Sequence, residues 1–209
     1  MSDISSLENL RTFFNSGNTQ SYAFRKEQLN RLKSSILKHE QDLYDALYSD
    51  LKKSPEEVWV TETGMVISEL NTAIKKLSKW MKPKRVSTNL LNLPSRSRIL
   101  SEPLGVVLII APWNYPFQLL INPLIGAIAA GNCVVLKPSE FAPATDAVMK
   151  KIIEETFPKE YILYVQGDGA AVIPEMMNNF TFDHRSIWLT AAILIFCLFY
   201  KFLSKTEPL

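Results

Sequence analysis

Cysteine, histidine and glycine are scarce in this 209-residue chain, with two, two and seven of each. Cys133 and Cys197 are too few for a disulfide scaffold or a four-cysteine zinc site, and they suit a reducing compartment. His39 and His184 have no metal-ligand spacing to each other or to a cysteine; each reads as a structural or surface residue, and no metal site is expected. The glycines form no G-x-G-x-x-G and no G-x-x-x-x-G-K-S/T, which excludes both common phosphate-binding loops. An excess of one charge sign is missing as well. The 23 Lys+Arg against 21 Asp+Glu leave a net charge of +2, without the basic surplus of a dedicated nucleic-acid binder, so no nucleic-acid partner is expected. The N-terminus, Met1-Ser2-Asp3-Ile4-Ser5, has no basic segment followed by an apolar run, which argues against a cleaved secretory signal and for the cytoplasmic side. Internal repeats and low-complexity segments are absent.

What is present begins with helical periodicity. Leu29, Leu32 and Ile36 recur at i, i+3, i+7, and Leu43, Leu47 and Leu51 at i, i+4, i+8. Val66, Leu70, Ala73, Leu77 and Trp80 continue that spacing in a third segment. Each set lines one face of a 3.6-residue period, with charged residues opposite. Ser54-Pro55-Glu56-Glu57 reads as a helix start: Ser54 can cap, Pro55 suits the first helical position and Glu57 completes a capping box. Residues 1–82 are therefore expected to form a helical layer.

Pro83 and Pro94 bracket a polar, irregular stretch, and Arg96 to Glu102 reads as a short strand, so 83–102 is a connecting segment. The character changes at Pro103. Val106 to Ala111, Cys133 to Leu136 and Tyr161 to Val165 are apolar runs of strand length, and Thr181-Phe182 begins a fourth. Phe117 to Ala130, Ala142 to Phe157 and Ala170 to Met177 have helical character. Such alternation implies βαβ units and a parallel sheet covered on both faces. The predicted class is α/β: a partial Rossmann-like parallel sheet with helices on both faces, preceded by the helical layer and followed by an apolar C-terminal helix.

In open parallel sheets ligands bind beyond the carboxyl ends of the strands. Two such ends are informative. Ala111-Pro112-Trp113-Asn114-Tyr115-Pro116 is a proline-stiffened loop whose single side-chain amide, on Asn114, can donate to a developing oxyanion or can satisfy nearby backbone groups. Leu136-Lys137-Pro138-Ser139-Glu140 sends a cation and a carboxylate off one strand end, suited to the hydroxyls of a nucleotide ribose or to a solvated pair. Gly167-Asp168-Gly169 permits a tight turn and is weak evidence for a phosphate. Cys133, in an apolar strand, has the setting of a small buried hydrophobe, and neither it nor Cys197 has that of an activated nucleophile.

Pro103-Leu104-Gly105-Val106-Val107, Pro112-Trp113-Asn114-Tyr115-Pro116, Gly131-Asn132 and Lys137-Pro138-Ser139-Glu140, in this order and spacing, resemble the aldehyde dehydrogenase superfamily. The helical N-terminus and the PWNYP form look most like its class 3 branch, which acts on fatty and aromatic aldehydes. The resemblance runs from near residue 5 to His184. It implies NAD(P)-dependent oxidation of an aldehyde to an acid through a cysteine thioester hydrolysed with a glutamate base. By the same resemblance Asn114 is the oxyanion-stabilising asparagine, Trp113 lies beside the nicotinamide, and Lys137 and Glu140 hold the adenosine ribose. A carboxylate at 140 repels a 2′-phosphate and so favours NAD over NADP. Residues 103–184 would then be a truncated Rossmann-like NAD-binding region. Family members are homo-oligomers, and much of their usual interface is not in this chain.

After Phe182-Asp183-His184 the family continues with a strand, a glycine-serine turn at the cofactor, a Leu-Glu-Leu-Gly-Gly segment with the base, and the nucleophile. These 209 residues contain none of them, so they are expected to be inactive alone. The alternative is a non-catalytic product, membrane-tethered or arising from splicing or a frameshift, that keeps a partial cofactor-binding or subunit-contact surface. Residues 185–209 form an apolar tail in which Ile187 to Tyr200 has only Thr190 polar. Three readings stand: a membrane-spanning anchor over 187–203, an out-of-frame end, or a buried helix. A span needs roughly 20 apolar residues and about 17 at the short end.

Overall fold

A computed structural model describes residues 4–92 and 94–187. The helical layer comprises α1 (Ile4–Asn15), α2 (Tyr22–Lys38), α3 (Glu40–Leu51), α4 (Pro55–Val58) and α5 (Gly64–Trp80). Most of its periodic residues are buried: Leu29, Leu32, Ile36, Leu43, Leu47, Val66, Leu70, Ala73 and Leu77 are nearly inaccessible, while Leu51 and Trp80, at the ends of α3 and α5, are half-buried. Ser54 caps α4 by accepting from the Glu57 N–H at 3.3 Å, with Pro55 in the first turn. Between α4 and α5 the chain widens into a π-turn, Trp59–Thr63, which the residue pattern did not indicate.

The stretch after Pro83 is more regular than its polar composition suggests. β1 (Lys84–Val86) pairs antiparallel with β2 (Ser97–Ile99), forming an exposed two-stranded ribbon. The main sheet follows: β3 (Val106–Ile110), α6 (Pro116–Ala130), β4 (Cys133–Lys137), α7 (Pro143–Thr156), β5 (Ile162–Tyr164), α8 (Gly169–Asn179) and β6 (His184–Ile187). All its pairings are parallel, in the order β5-β4-β3-β6. Val106 to Ile109, Cys133 to Leu136 and Ile162 to Tyr164 are buried, as continuous apolar strands of a covered parallel sheet must be. Helices flank it: α1 lies on β4 and β5, α6 on β3 and β4, and α7 on β5. The rest of the helical layer packs outside them, with α2 against α6 and α7, α3 against α7, and α5 against α6. This is the partial Rossmann-like α/β fold with an N-terminal helical layer.

The order of the strands has a functional consequence. From β3 the chain steps outward to β4 and β5, then returns to the other side of β3 as β6. The direction of winding therefore switches between β3 and β6, and the crevice at their carboxyl ends is where such sheets bind ligands.

The C-terminal expectation is corrected. The fourth strand starts at His184 rather than at Thr181, because residues 180–183 serve as its approach: Phe180 and Phe182 stack edge to face, and the Asp183 N–H donates to the Val106 carbonyl. Arg185 and Ser186 pair with Leu108 and Ile109, so the main-chain ladder runs on into the segment whose composition reads as tail. The membrane-spanning reading is overturned: among the described residues no helix is long and apolar enough to cross a membrane. Residues 188–203 of that expected span, and with them the apolar C-terminal helix, lie outside the described residues.

Candidate functional site

The loop after β3 stands at the switch point. Its base is tied down where the Ala111 N–H donates to the Lys137 carbonyl. Trp113, Asn114 and Tyr115 are exposed at its crest. Asn114 Oδ1 accepts from the Tyr115 N–H at 3.1 Å. That contact occupies the oxygen and leaves the Nδ2 donors without a partner among the described residues. An exposed amide with its acceptor engaged and its donors free is oriented to give hydrogen bonds to a developing negative oxygen.

Two residues that sequence reasoning missed lie beneath this loop. Lys53 and Glu62 are 7% and 0% exposed, and their Nζ and Oε1 are 2.6 Å apart. Lys53 Nζ also donates to the Asn114 carbonyl at 3.0 Å and sits 4.0 Å from the Tyr115 ring centroid. Glu62 Oε2 accepts from the N–H groups of Phe117 and Gln118, at 2.9 and 3.3 Å. A buried ion pair is tolerable when further hydrogen bonds satisfy both partners, and these do so. A signal was available. Val58, Glu62, Val66 and Leu70 stand at i, i+4, i+8, i+12, which places a carboxylate on the buried stripe of a helical run.

The second cluster is at the end of β4. Lys137 Nζ donates to the Pro138 carbonyl at 2.6 Å and to Glu140 Oε2 at 3.3 Å. Glu140 Oε1 accepts from the Gly169 N–H at 3.0 Å, so the turn after β5 joins the cluster. Partial burial pushes the Glu140 carboxyl up, but the Gly169 N–H, its own N–H and the Lys137 ammonium outweigh this and hold it below the usual range. The Lys137 side chain is 2% exposed and that of Glu140 34%, so Glu140 is the accessible member. Its two oxygens have about four acceptor directions, more than these three donors use. Gly167 has φ +126° in the same turn, while Asp168 caps α8 by accepting from the Ala170 N–H at 2.9 Å. The first N–H groups of α8 are thus already engaged.

The remaining candidates are structural in placement. Cys133 is fully buried and burial pushes its thiol up to about 12, the setting of an inert residue. Cys197 lies outside the described residues. His39 is buried, not on the surface: Nδ1 is 2.9 Å from Asp42 and Nε2 is 3.0 Å from Glu155. Asn132 Oδ1 accepts from the Leu104 and Gly105 N–H groups, shaping the entry to β3. An open cleft of about 770 Å³ along α2, lined by Tyr22, Lys26, Arg31 and Glu155 among others, includes no residue of either cluster.

Comparison with known proteins gives this geometry its context. The profile described as the aldehyde dehydrogenase family matches residues 10–188. An aldehyde dehydrogenase from Craterostigma plantagineum is 47% identical over 170 residues, covering 81% of this chain and 35% of the relative. Family 3 members from Arabidopsis thaliana, Mus musculus and Rattus norvegicus are also among the relatives. The substrate-bound structure of AldH from Staphylococcus aureus superposes with a TM-score of 0.83 at 40% identity, covering 97% of this chain and 43% of that one. A betaine aldehyde dehydrogenase variant from the same organism, in complex with NAD+, gives a TM-score of 0.70 at 28% identity, covering 82% and 34%. The chain thus spans about a third of the length of the curated relatives it matches, in their N-terminal part. The chain belongs to the aldehyde dehydrogenase family, with class 3-like members as its relatives.

Proposed function

We propose that these residues supply the carbonyl-oxygen donor and the ribose-binding end of an NAD-dependent oxidation of an aldehyde to a carboxylic acid. The observation that carries the proposal is the orientation of Asn114: an exposed amide at the switch point whose oxygen is held by Tyr115 and whose Nδ2 donors are free. In this role Nδ2 donates to the aldehyde oxygen as it gains charge; one such donor is worth about 10²–10³ in rate. Glu140, in reach of solvent and below its usual protonation range, accepts from the ribose hydroxyls, and Lys137 acts by holding that carboxylate in place. A 2′-phosphate would meet the Glu140 charge, which favours NAD over NADP. Trp113, 52% exposed on the Asn114 loop, offers an apolar wall to the nicotinamide end. When bound, the cofactor supplies the hydride acceptor. The covalent route needs a thiolate. Cys133 cannot supply it, since its thiol is sealed in β4 and carries a raised pKa of about 12.

The test is a titration of the 15N-labelled chain with NAD, NADP and a medium-chain carboxylate, which presents product-like oxygens. NAD should saturably shift the Glu140 and Gly169 amides and NADP should do so more weakly. The carboxylate should shift the Asn114 Nδ2 pair, with no nicotinamide reduction by these 209 residues when an aldehyde replaces it. Unmoved Asn114 and Glu140 signals at saturating ligand would refute the assignment.

A further inference from the structure

We infer that Lys53 and Glu62 are positioning residues for Asn114: the buried pair sets the height and angle of the loop that presents the amide. The inference rests on the reading of Asn114 as the carbonyl-oxygen donor and deepens it.

Three contacts converge on the loop from below. Lys53 Nζ holds the carbonyl of Asn114 itself at 3.0 Å. The same ammonium lies 4.0 Å from the Tyr115 ring centroid, close enough for a cation–π contact with the residue whose N–H locks the Asn114 side chain. Glu62, joined to Lys53 at 2.6 Å, takes the N–H groups of Phe117 and Gln118 and so fixes the start of α6, where the loop ends. Main chain on both sides of the amide is thereby referred to one charge pair. The π-turn Trp59–Thr63 contains the acidic member, and such turns often mark places where a helix re-aims a functional side chain. A buried ammonium needs an acceptor beyond Glu62, and here that acceptor is the main chain of Asn114 itself, so satisfying the lysine and fixing the loop are one contact.

The experiment separates positioning from plain stability. In Lys53→Met, amide exchange at Phe117 and Gln118 should accelerate about 10-fold or more, because the Glu62 carboxylate loses its counter-charge. In the double variant Lys53→Met/Glu62→Gln the buried charge is gone and an acceptor for Phe117 remains, so the unfolding midpoint should return toward that of the unsubstituted chain. The 15N order parameters of Asn114 and Tyr115, and the Asn114 Nδ2 shift, should stay altered in it. Recovery of loop order together with stability would overturn the inference. The unsubstituted chain gives a second reading that needs no variant to fold. The Lys53 ζ-protons should show an Overhauser contact to the Tyr115 ring, and its absence would equally overturn the proposal. Loop order is read without aldehyde or cofactor, so its outcome is separate from whether Asn114 accepts a carbonyl partner.

Discussion

Gly131 ends α6 at φ +89°, and a Cβ there would collide with the guanidinium of Arg25. That guanidinium cannot swing aside: Nε donates to the Thr19 carbonyl at 2.8 Å, Nη1 to the Ala129 carbonyl at 3.2 Å, and Arg25 is 4% exposed. Gly131→Ala should therefore destabilise the fold by about 1–3 kcal/mol through left-handed strain plus the displaced arginine. Urea unfolding of the two chains measures it, and an unchanged midpoint would contradict the contact. Gly105, at φ +140°, is constrained in the same way, since a Cβ would meet the Asp183 carboxylate that accepts from Val106 N–H and Arg11. Both glycines stand in motifs that the sequence singles out as Pro103-Leu104-Gly105 and Gly131-Asn132. The motif could be seen there. Its cause could not, because Arg25 and Gly131, or Gly105 and Asp183, are far apart in the chain.

At the scale of elements, the Ser54 cap of α4 was readable, while for α6 and α7 the starts were readable and the caps were not. Pro116 and Pro143 mark the first turns of α6 and α7, as their fixed φ and missing N–H predict. Yet Tyr115 and Ala142, the residues in the capping positions, make no side-chain cap. The helical layer provides the acceptors instead. Glu62 serves α6 from 55 residues before Phe117, and Asp50 serves α7 from 94 residues before Ala144. Asp50 accepts from Ala144 N–H at 3.2 Å, and from Thr145 N–H and Oγ1 at 2.7 and 2.8 Å. At the third helix Glu140 joins Asp168 in capping α8. Carboxylates at helix N-termini also complement the macrodipole. Asp50→Ala should cost about 0.5–2 kcal/mol. Asp50→Asn should cost less, since an amide oxygen still accepts. Denaturation midpoints of the three chains give that ranking, and equal loss for both variants would argue against capping.

For the molecule as a whole, exposed charge clips tie the helical layer to the sheet domain. Glu155 on α7 meets Lys38 at 2.9 Å and His39 at 3.0 Å, and Asp42 meets His39 at 2.9 Å and Lys151 at 3.3 Å. The Lys38 and His39 hydrogen bonds pull the Glu155 carboxyl down to about 2, and those from His39 and Lys151 lower Asp42. Both carboxyls have depressed pKa values in the folded state. Their contribution is therefore fully present above the ordinary carboxylate range and is lost as pH falls toward about 2. Unfolding free energy should decline across that acid window, and Glu155→Gln should make the decline shallower. Because the carboxylates face solvent, salt should weaken the effect. An acid limb unchanged by the substitution would remove Glu155 from the account. The apolar runs and their spacing were enough for β3, β4 and β5, for α2, α3, α5 and the three sheet helices, and for the parallel sheet, because side-chain periodicity follows directly from 2.0- and 3.6-residue geometry; the polar β1-β2 ribbon and the start of β6 carry no such run. The PWNYP loop and the Lys137-to-Glu140 stretch were likewise visible as strand-end segments. Which carboxylate caps which helix, the return of β6 beside β3, and the charge pair under Asn114 had to await packing. Those partners meet across tens of residues, and they do so because a buried N–H, carbonyl or charge must find its complement in three dimensions, wherever along the chain that complement lies.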